Sequence, residues 1–441
     1  MTALSVQAAA REAGDRPALL WDERSWTWAR LASEVGLEIE RLAGLGFPRD
    51  LARVAFDATS DPQTIVRLLA LIEIGTPFVP LHPGLTERER ARQLEAVRPC
   101  MDLDRVATSG DVLPAQPLSP DPGHPLAILF TSGATGSPRA VSLSREAFEG
   151  SAAASAERLG WTADDRWLAC LPLAHVGGLS IVTRCLIARR TVVLASRFDP
   201  GAVAELIDQH DVTLISLVPT MLTRLLALEP EWRPPPSLRA VLLGGGPVSD
   251  DVWNEARRRR IPLRATYGLT EACSQVATGT ASAPRDLLPL AGTEVRINDG
   301  CIEVRSLYMY DDGFLRTGDL GRLRPDGVLE VLGRADDLII TGGENVLPED
   351  IEAELESHPQ ISRAAVFGFP DDEWGEIVAA ALVADGVQPE AAELREWCDG
   401  RLASFRRPRR ISWLTELPET PTGKIDRPAV IEATAGRLEE L

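Results

Sequence analysis

Short apolar runs alternate with amphipathic, helix-length segments from residue 126 to residue 266, and no other feature limits the possible folds of this chain so strongly. Residues 126–130, 191–195, 212–218, 238–243 and 262–266 read as strands, whereas 201–209, 219–228 and 249–259 carry the helical period. Strands separated by helices pair in parallel through right-handed crossovers, and ligands then collect beyond the carboxyl ends of the strands. The glycine-rich turns fall at those ends. Residues 299–332 instead show closely spaced strand and turn signals, including Asp312-Gly313 and Asp326-Gly327, and predict a small antiparallel element.

The composition changes after Gly333. The charged stretch Gly333-Arg334-Ala335-Asp336-Asp337, followed by a new apolar run and the pair Gly342-Gly343, predicts a domain boundary. Beyond it the pattern gives a helix over 348–357, strands near 364–367 and 377–383, a helix over 389–402 and a last strand near 410–414. The expected class is therefore α/β. A large N-terminal domain, residues 1–335, holds parallel-type sheets flanked by helices plus the small antiparallel element, and a small α+β C-terminal domain spans 336–441. Residues 114–125 read as a linker loop. A chain of 441 residues with 44% hydrophobic content suits two or three domains.

A formal charge of −19 argues against a nucleic-acid partner, because phosphate backbones demand clustered positive charge; the run Arg257 to Arg260 reads as a solvated helix face. Six cysteines (Cys100, Cys170, Cys185, Cys273, Cys301, Cys398) lie far apart with no CxxC pair, which indicates neither a zinc site nor a disulfide framework and fits a reducing cytoplasm. The N-terminus lacks a basic stretch followed by an apolar core, and no window reaches the apolar length of a membrane span. A cytoplasmic protein, possible as a homo-oligomer, is expected.

Against this background one residue stands apart. Lys424, in Pro421-Thr422-Gly423-Lys424-Ile425-Asp426-Arg427, is the only lysine, and every other basic position is arginine. A lysine ammonium is a point charge on a flexible stem, able to sit between two anionic oxygens where a planar guanidinium needs a wider, fork-shaped partner. Residues 130–139, Phe130-Thr131-Ser132-Gly133-Ala134-Thr135-Gly136-Ser137-Pro138-Arg139, follow a strand and set hydroxyls between glycines, a pattern suited to closing backbone N–H groups around phosphate oxygens. The spacing is not that of a Walker A loop. Gly244-Gly245-Gly246-Pro247 ends a strand where bare backbone suits a purine face. Tyr267-Gly268-Leu269-Thr270-Glu271 ends the next with an aromatic ring, a hydroxyl and a carboxylate suited to the Mg2+ that accompanies ATP. Thr317-Gly318-Asp319 and Arg334 offer a carboxylate for two ribose hydroxyls and a nearby cation. Taken singly, the loop suits a surface turn at least as well, Tyr267 better suits a core aromatic and Glu271 a solvated helix start, and Asp319 with Arg334 suits a surface turn with an ordinary ion pair.

Taken in order, these segments resemble the adenylate-forming superfamily of acyl-CoA synthetases, peptide-synthetase adenylation domains and luciferases, over nearly the whole chain. The resemblance implies that residues 131–139 form a phosphate loop, with Thr131, Ser132, Gly133, Thr135, Gly136 and Arg139 at ATP. It implies adenine contacts from Gly245 and Tyr267, ribose contacts from Asp319 and Arg334, an α-phosphate contact from Thr270 and a metal contact from Glu271. Asp336 matches the hinge about which a mobile C-terminal domain turns between half-reactions, and Lys424 matches the adenylation lysine. The loop departs from the family in having Ala134 where threonine or serine is usual and Arg139 where lysine is usual.

Residues 171–178, Leu171-Pro172-Leu173-Ala174-His175-Val176-Gly177-Gly178, correspond to the family segment whose histidine borders the acyl pocket. That run with Arg184, and residues 242–247 with 267–275, are similar to the o-succinylbenzoyl-CoA synthetases of menaquinone biosynthesis. His175, Arg184, Gly245 and Gly268 are then expected at the acid, with Arg184 meeting its second, aromatic carboxylate. The implied reaction joins a small-molecule carboxylic acid to coenzyme A with ATP and Mg2+, through an acyl-adenylate. No carrier-protein serine motif follows Leu441, and the short N-terminal region matches this branch, which favours a standalone ligase. The alternatives are another aryl- or fatty-acyl-CoA ligase, a carrier-loading adenylation enzyme, and a nucleotide-binding protein without turnover.

Overall fold

The computed structural model of the chain describes residues 3–45, 53–99, 101–105, 124–132, 138–228, 232–246, 248–307, 309, 313–371, 373–420 and 424–441. These divide into two compact units. The first comprises residues 1–245, 250–294 and 304–315, and the second 246–249, 295–303 and 316–441, so the second reaches back past residue 336, where the domain boundary was expected.

The first unit contains two sheets, and the alternating pattern is divided between them. Thr191–Leu194, Leu214–Leu217, Ala240–Leu243 and Leu263–Leu269 fall in a nine-stranded sheet with Arg166–Ala169 and Pro17–Trp21 in its parallel centre. Antiparallel strands Arg24–Thr27 at one edge and Ser274–Thr278 and Leu288–Pro289 at the other complete it. Pro125–Ser132 instead belongs to a five-stranded sheet with Met101–Asp102, Val54–Asp57 and Phe78–Leu81, and Pro138–Ser144 closes that sheet as an antiparallel partner. Local period does not reveal which sheet a strand joins, because sheet membership is set by contacts distant in sequence.

One core underlies both sheets. Phe56 and Phe78 from the smaller sheet, Trp167 and Leu242 from the larger, and Leu68, Phe148 and Leu179 from the helices Pro62–Ile74, Arg145–Leu159 and Val176–Ala188 all belong to one buried cluster. Local signals fix the helix starts. Asp61 accepts from the Thr64 N–H and precedes Pro62, and Asp199 accepts from the Ala202 N–H and precedes Pro200. Each cap satisfies an orphan donor while proline supplies the helical φ at no hydrogen-bond cost.

The second unit is α+β. Its central strands Ile361–Asp371 and Gly375–Ala384 pair antiparallel, and Arg410–Leu414 runs parallel to the latter. Side chains of adjacent strand residues point to opposite faces. Ala364 and Val366 meet Ile351, Leu355, Leu394 and Ile411 on one face, and Ala365 and Phe367 meet Leu417 and Val430 on the other. That double burial explains the unbroken apolar run at 364–367. Beyond Lys424 the chain forms the helix Arg427–Thr434, started by the Asp426 side chain accepting from the Ala429 N–H.

The four-stranded sheet Thr293–Asn298, Cys301–Ser306, Leu315–Leu323 and Leu329–Arg334 is the expected antiparallel element. The second unit also buries carboxylates. Burial pushes the Glu349 carboxyl up to about 6, with Arg427 opposing the rise and Glu352 and Asp337 adding to it. Burial likewise raises Glu352 and Glu356. A folded-state value above the unfolded one means that the folded protein holds a proton the unfolded chain releases, so stability falls as pH rises from about 4.5 to about 6. Glu349→Gln is expected to remove that loss, gaining up to about 2 kcal/mol at neutral pH and nothing at pH 4. Urea titrations at the two pH values check it.

Candidate active site

In the first unit Thr131, Gly245 and Thr270 lie at or just beyond the carboxyl ends of the strands Pro125–Ser132, Ala240–Leu243 and Leu263–Leu269. Thr131 and Arg139 face each other across the antiparallel pair Pro125–Ser132 and Pro138–Ser144. The candidate phosphate loop is therefore a hairpin connection, unlike a P-loop, which leads from a strand into a helix. Thr131 is half-buried and Arg139 exposed. Gly133, Thr135 and Gly136, with Ala134, lie outside the described residues, as does the side chain of Ser132; so do Asp312, Cys100, Pro247, residues 421–423 and most of the expected linker at 114–125.

Gly244 follows the strand Ala240–Leu243 so closely beside Leu263–Leu269 that a Cβ there would lie 2.7 Å from the Thr266 carbonyl oxygen. Gly245 has φ +88°, a left-handed conformation that glycine adopts without strain. Tyr267 pairs with Ala277, and Gly268 with Gln275 at an irregularity in the register. A Cβ on Gly268 would meet the Ser274 carbonyl oxygen at 1.8 Å. Gly268→Ala must force the two strands apart, and a loss of about 3 kcal/mol or more is expected, measured by thermal unfolding.

The chain then turns through the 3-10 segment Thr270–Ala272, with Thr270 and Glu271 half-buried, and leaves it at Cys273, φ +50°. Ser151 Oγ donates to the Cys273 carbonyl at 2.7 Å, and Arg184 Nη2 donates to the same Ser151 hydroxyl at 3.4 Å. Arg184 is not the helix-surface residue that its charge suggests. It is 4% exposed on the buried helix Val176–Ala188, with its guanidinium carbon 5.7 Å from the Trp167 ring centroid. The structure thus links Arg184 to the Thr270–Glu271 turn through one hydroxyl. Burial pushes the Cys273 thiol up to about 12, and Arg184 opposes that rise.

His175 is the N-cap residue of the same helix without a side-chain capping bond. Gly178 explains its placement, since a Cβ there would lie 2.3 Å from the Pro172 carbonyl oxygen; the helix sits directly on the Leu171–Pro172 backbone. The His175 ring lies 5.7 Å from that of His82, just beyond the strand Phe78–Leu81. Burial lowers the pKa of His82, whose Nδ1 accepts from the Gly84 N–H. His82 and Ser151 were not anticipated. Both approach the site from elements whose own sequence carries no motif.

In the second unit Asp319 and Arg334 are cross-strand partners, with Arg334 Nε 3.4 Å from Asp319 Oδ1. They lie on paired strands, where the sequence suggested a turn. Gly318, φ +79°, and the bond from the Asp319 N–H to Thr317 Oγ1 shape the segment before the carboxylate. Asp336 is exposed in the 3-10 segment Ala335–Asp337, 3.8 Å from Arg334. Lys424 keeps access to solvent, while the protein crowded around its ammonium lowers its pKa; Asp319 opposes the shift and Arg334 adds to it. The lone lysine therefore shares the electrostatic environment of the candidate ribose pair.

A single carboxylate at Glu271 suits Mg2+, which usually keeps several waters and binds through one or two carboxylates and substrate phosphates. Among the described residues no group of three or more His, Cys, Asp or Glu side chains forms an all-protein cage.

Known proteins resemble this chain over most of its length. The AMP-binding enzyme family description matches residues 6–112 and 99–301, and that of the AMP-binding enzyme C-terminal domain matches residues 350–424. The 2-succinylbenzoate–CoA ligase of Bacillus pumilus is 36% identical over 461 aligned positions, covering 94% of each chain. The o-succinylbenzoate CoA synthetase of Bacillus subtilis, solved with its acyl-adenylate intermediate, superposes with a TM-score of 0.85 at 31% identity over 96% of each chain. The same enzyme with ATP and magnesium gives 0.85 at 31% identity over 96% of this chain and 98% of that one. With both descriptions matched and these likenesses spanning almost the full length, the chain belongs to the AMP-binding, adenylate-forming enzyme family and stands among its 2-succinylbenzoate–CoA ligases.

Proposed function

We propose that this chain joins o-succinylbenzoate to coenzyme A at the expense of ATP, yielding o-succinylbenzoyl-CoA, AMP and diphosphate, a step of menaquinone biosynthesis. The observation that carries the reading is the buried guanidinium of Arg184, tied through Ser151 to the turn bearing Thr270 and Glu271. The substrate has two carboxylates. One requires activation near the nucleotide and the other recognition at a distance, and a buried guanidinium beside the activating turn serves the second need. Among the described residues no helix is long and apolar enough to cross a membrane, and the five described cysteines are free and buried, which supports a reducing cytoplasm.

Two steps follow from the chemistry of the parts. The activated carboxylate oxygen attacks the α-phosphorus of ATP, the bond to the bridging oxygen breaks, and diphosphate departs with the electron pair. Two anions must meet for this to occur, and the Lys424 ammonium compensates the charge gathering between them, while Thr270 supplies a hydroxyl donor to the α-phosphate. Asp319, held beside Arg334, orients the ribose, and Tyr267 with Gly245 packs the base. When bound, Mg2+ would neutralise phosphate charge, and Glu271 is the residue that would hold it. The small domain then turns about Asp336, removing Lys424. The CoA thiol attacks the acyl carbonyl, AMP leaves, and the thiol proton passes to solvent. His175 and His82 border the acid and limit the water that would hydrolyse the adenylate.

Acid-dependent exchange of labelled pyrophosphate into ATP tests the reading across o-succinylbenzoate, benzoate, a medium-chain fatty acid and several amino acids. Strong preference for o-succinylbenzoate is expected. Preference for another acid keeps the ligase chemistry and rejects the substrate.

A further inference from the structure

The segment bearing Lys424 ends, three residues later, in an arginine whose surroundings ordinary helix energetics do not explain. Arg427 opens the helix Arg427–Thr434, where the backbone N–H groups present partial positive charge and a cation is disfavoured. Its side chain is nonetheless only 16% exposed and turned inward. Nη1 donates to Asp337 Oδ2 at 3.1 Å, Nη2 donates to Glu352 Oε1 at 2.7 Å, and Nε donates to the Val366 carbonyl at 3.2 Å. Glu349 Oε1 lies 3.7 Å from Nη2, and Glu352 also accepts from the Val366 N–H at 2.8 Å. A planar fork with five donors can meet all these acceptors; a lysine cannot.

The partners come from three places that matter to the site. Asp337 lies in the turn next to the hinge candidate Asp336, Glu349 and Glu352 lie in the helix Pro348–Glu356, and Val366 lies in the central strand. Glu349 also abuts the end of the strand that carries Arg334, for a Cβ on Gly333 would come within 2.5 Å of Glu349 Oε2. Around Lys424, the Lys424 N–H donates to Thr420 Oγ1 at 3.2 Å, the Thr420 N–H donates to the Lys424 carbonyl at 2.7 Å, and the Asp426 N–H donates to the Pro418 carbonyl at 3.0 Å. Arg363 Nη1 on the central strand donates to Glu419 Oε1 at 3.1 Å, and Ile425 packs against the cluster of Ala365, Phe367 and Leu417. These contacts rest the flanking residues on one face of the sheet, and Arg427 ties them in addition to the turn Ala335–Asp337 and the helix Pro348–Glu356.

We propose that Arg427 is the positioning residue for Lys424: by clamping the lysine segment to Asp337, Glu352 and the Val366 carbonyl, it fixes where the ammonium stands relative to Asp319 and Arg334. This rests on the reading of Lys424 as the adenylation lysine. Arg427 touches neither nucleotide nor acid in this role, and it acts only in the half-reaction that uses the lysine.

The test uses the full chain, measuring pyrophosphate release from Mg-ATP and o-succinylbenzoate separately from thioester formation from supplied o-succinylbenzoyl-adenylate and CoA. Arg427→Ala is expected to lower the rate of adenylation about 100-fold, the scale of a misplaced catalytic group. KM for ATP and acid should stay within a few-fold, and thioester formation should persist. The double variant with Lys424→Ala is expected to be no slower than Lys424→Ala alone, because a positioning residue has nothing left to position. Equal loss of both half-reactions, or a double variant far below Lys424→Ala, overturns the proposal. Asp337→Asn, which keeps Glu352 and the fold around it, is expected to slow adenylation alone; unchanged adenylation in that variant overturns it even where Arg427→Ala does not fold. Intact adenylation in Arg427→Ala beside its loss in Lys424→Ala rejects this inference alone, whereas intact adenylation in Lys424→Ala rejects the lysine reading beneath it.

Discussion

Replacing Lys424 by alanine is expected to slow pyrophosphate release by about 100- to 1000-fold, the range seen when a single electrostatic stabiliser of a transition state is removed. Thioester formation from supplied acyl-adenylate should remain near wild type if, as proposed, the lysine leaves the site when the small domain turns. Lys424→Arg should fail almost as badly. The chain uses arginine at every other basic position, so a tolerated arginine would leave the lone lysine unexplained. Equal loss of both half-reactions in Lys424→Ala would contradict the division of labour.

Arg184→Ala is expected to lower kcat/KM for o-succinylbenzoate by about 100- to 1000-fold, corresponding to loss of one partner of a buried charged pair. Benzoate, which lacks the second carboxylate, should be affected far less. Arg184 is buried, so alanine also leaves a cavity beside Trp167. Arg184→Met keeps much of the stem volume and removes the charge; it should show the same change in specificity with a smaller fall in thermal midpoint. A parallel loss for both acids would make Arg184 structural.

Much of this was legible because local pattern and local chemistry coincide. The strand Arg410–Leu414 and the helix Pro219–Leu228 follow from their own residues, and Thr270 directly follows the strand Leu263–Leu269, where turn and polar signals cluster. What was not legible depends on contacts far apart in sequence. Pro125–Ser132 carries the same apolar run as its successors yet joins another sheet. Arg184 was expected at the acid only through the resemblance, and its burial depends on Ser151, 33 residues away, and Trp167. His82 and His175 meet across two sheets, and Arg427 gathers acceptors from positions 61 to 90 residues distant. The helix after Lys424 is short, and its capping aspartate was hidden within a turn-rich motif.

The most direct test is a quenched single-turnover experiment in which the protein meets o-succinylbenzoate and Mg-ATP, first without CoA and then with it, and the products are read by mass spectrometry. The account predicts one o-succinylbenzoyl-adenylate per active site together with pyrophosphate, converted on addition of CoA into the thioester and an equal amount of AMP. ATP bound without any adenylate, or cleavage to ADP and phosphate, would contradict it.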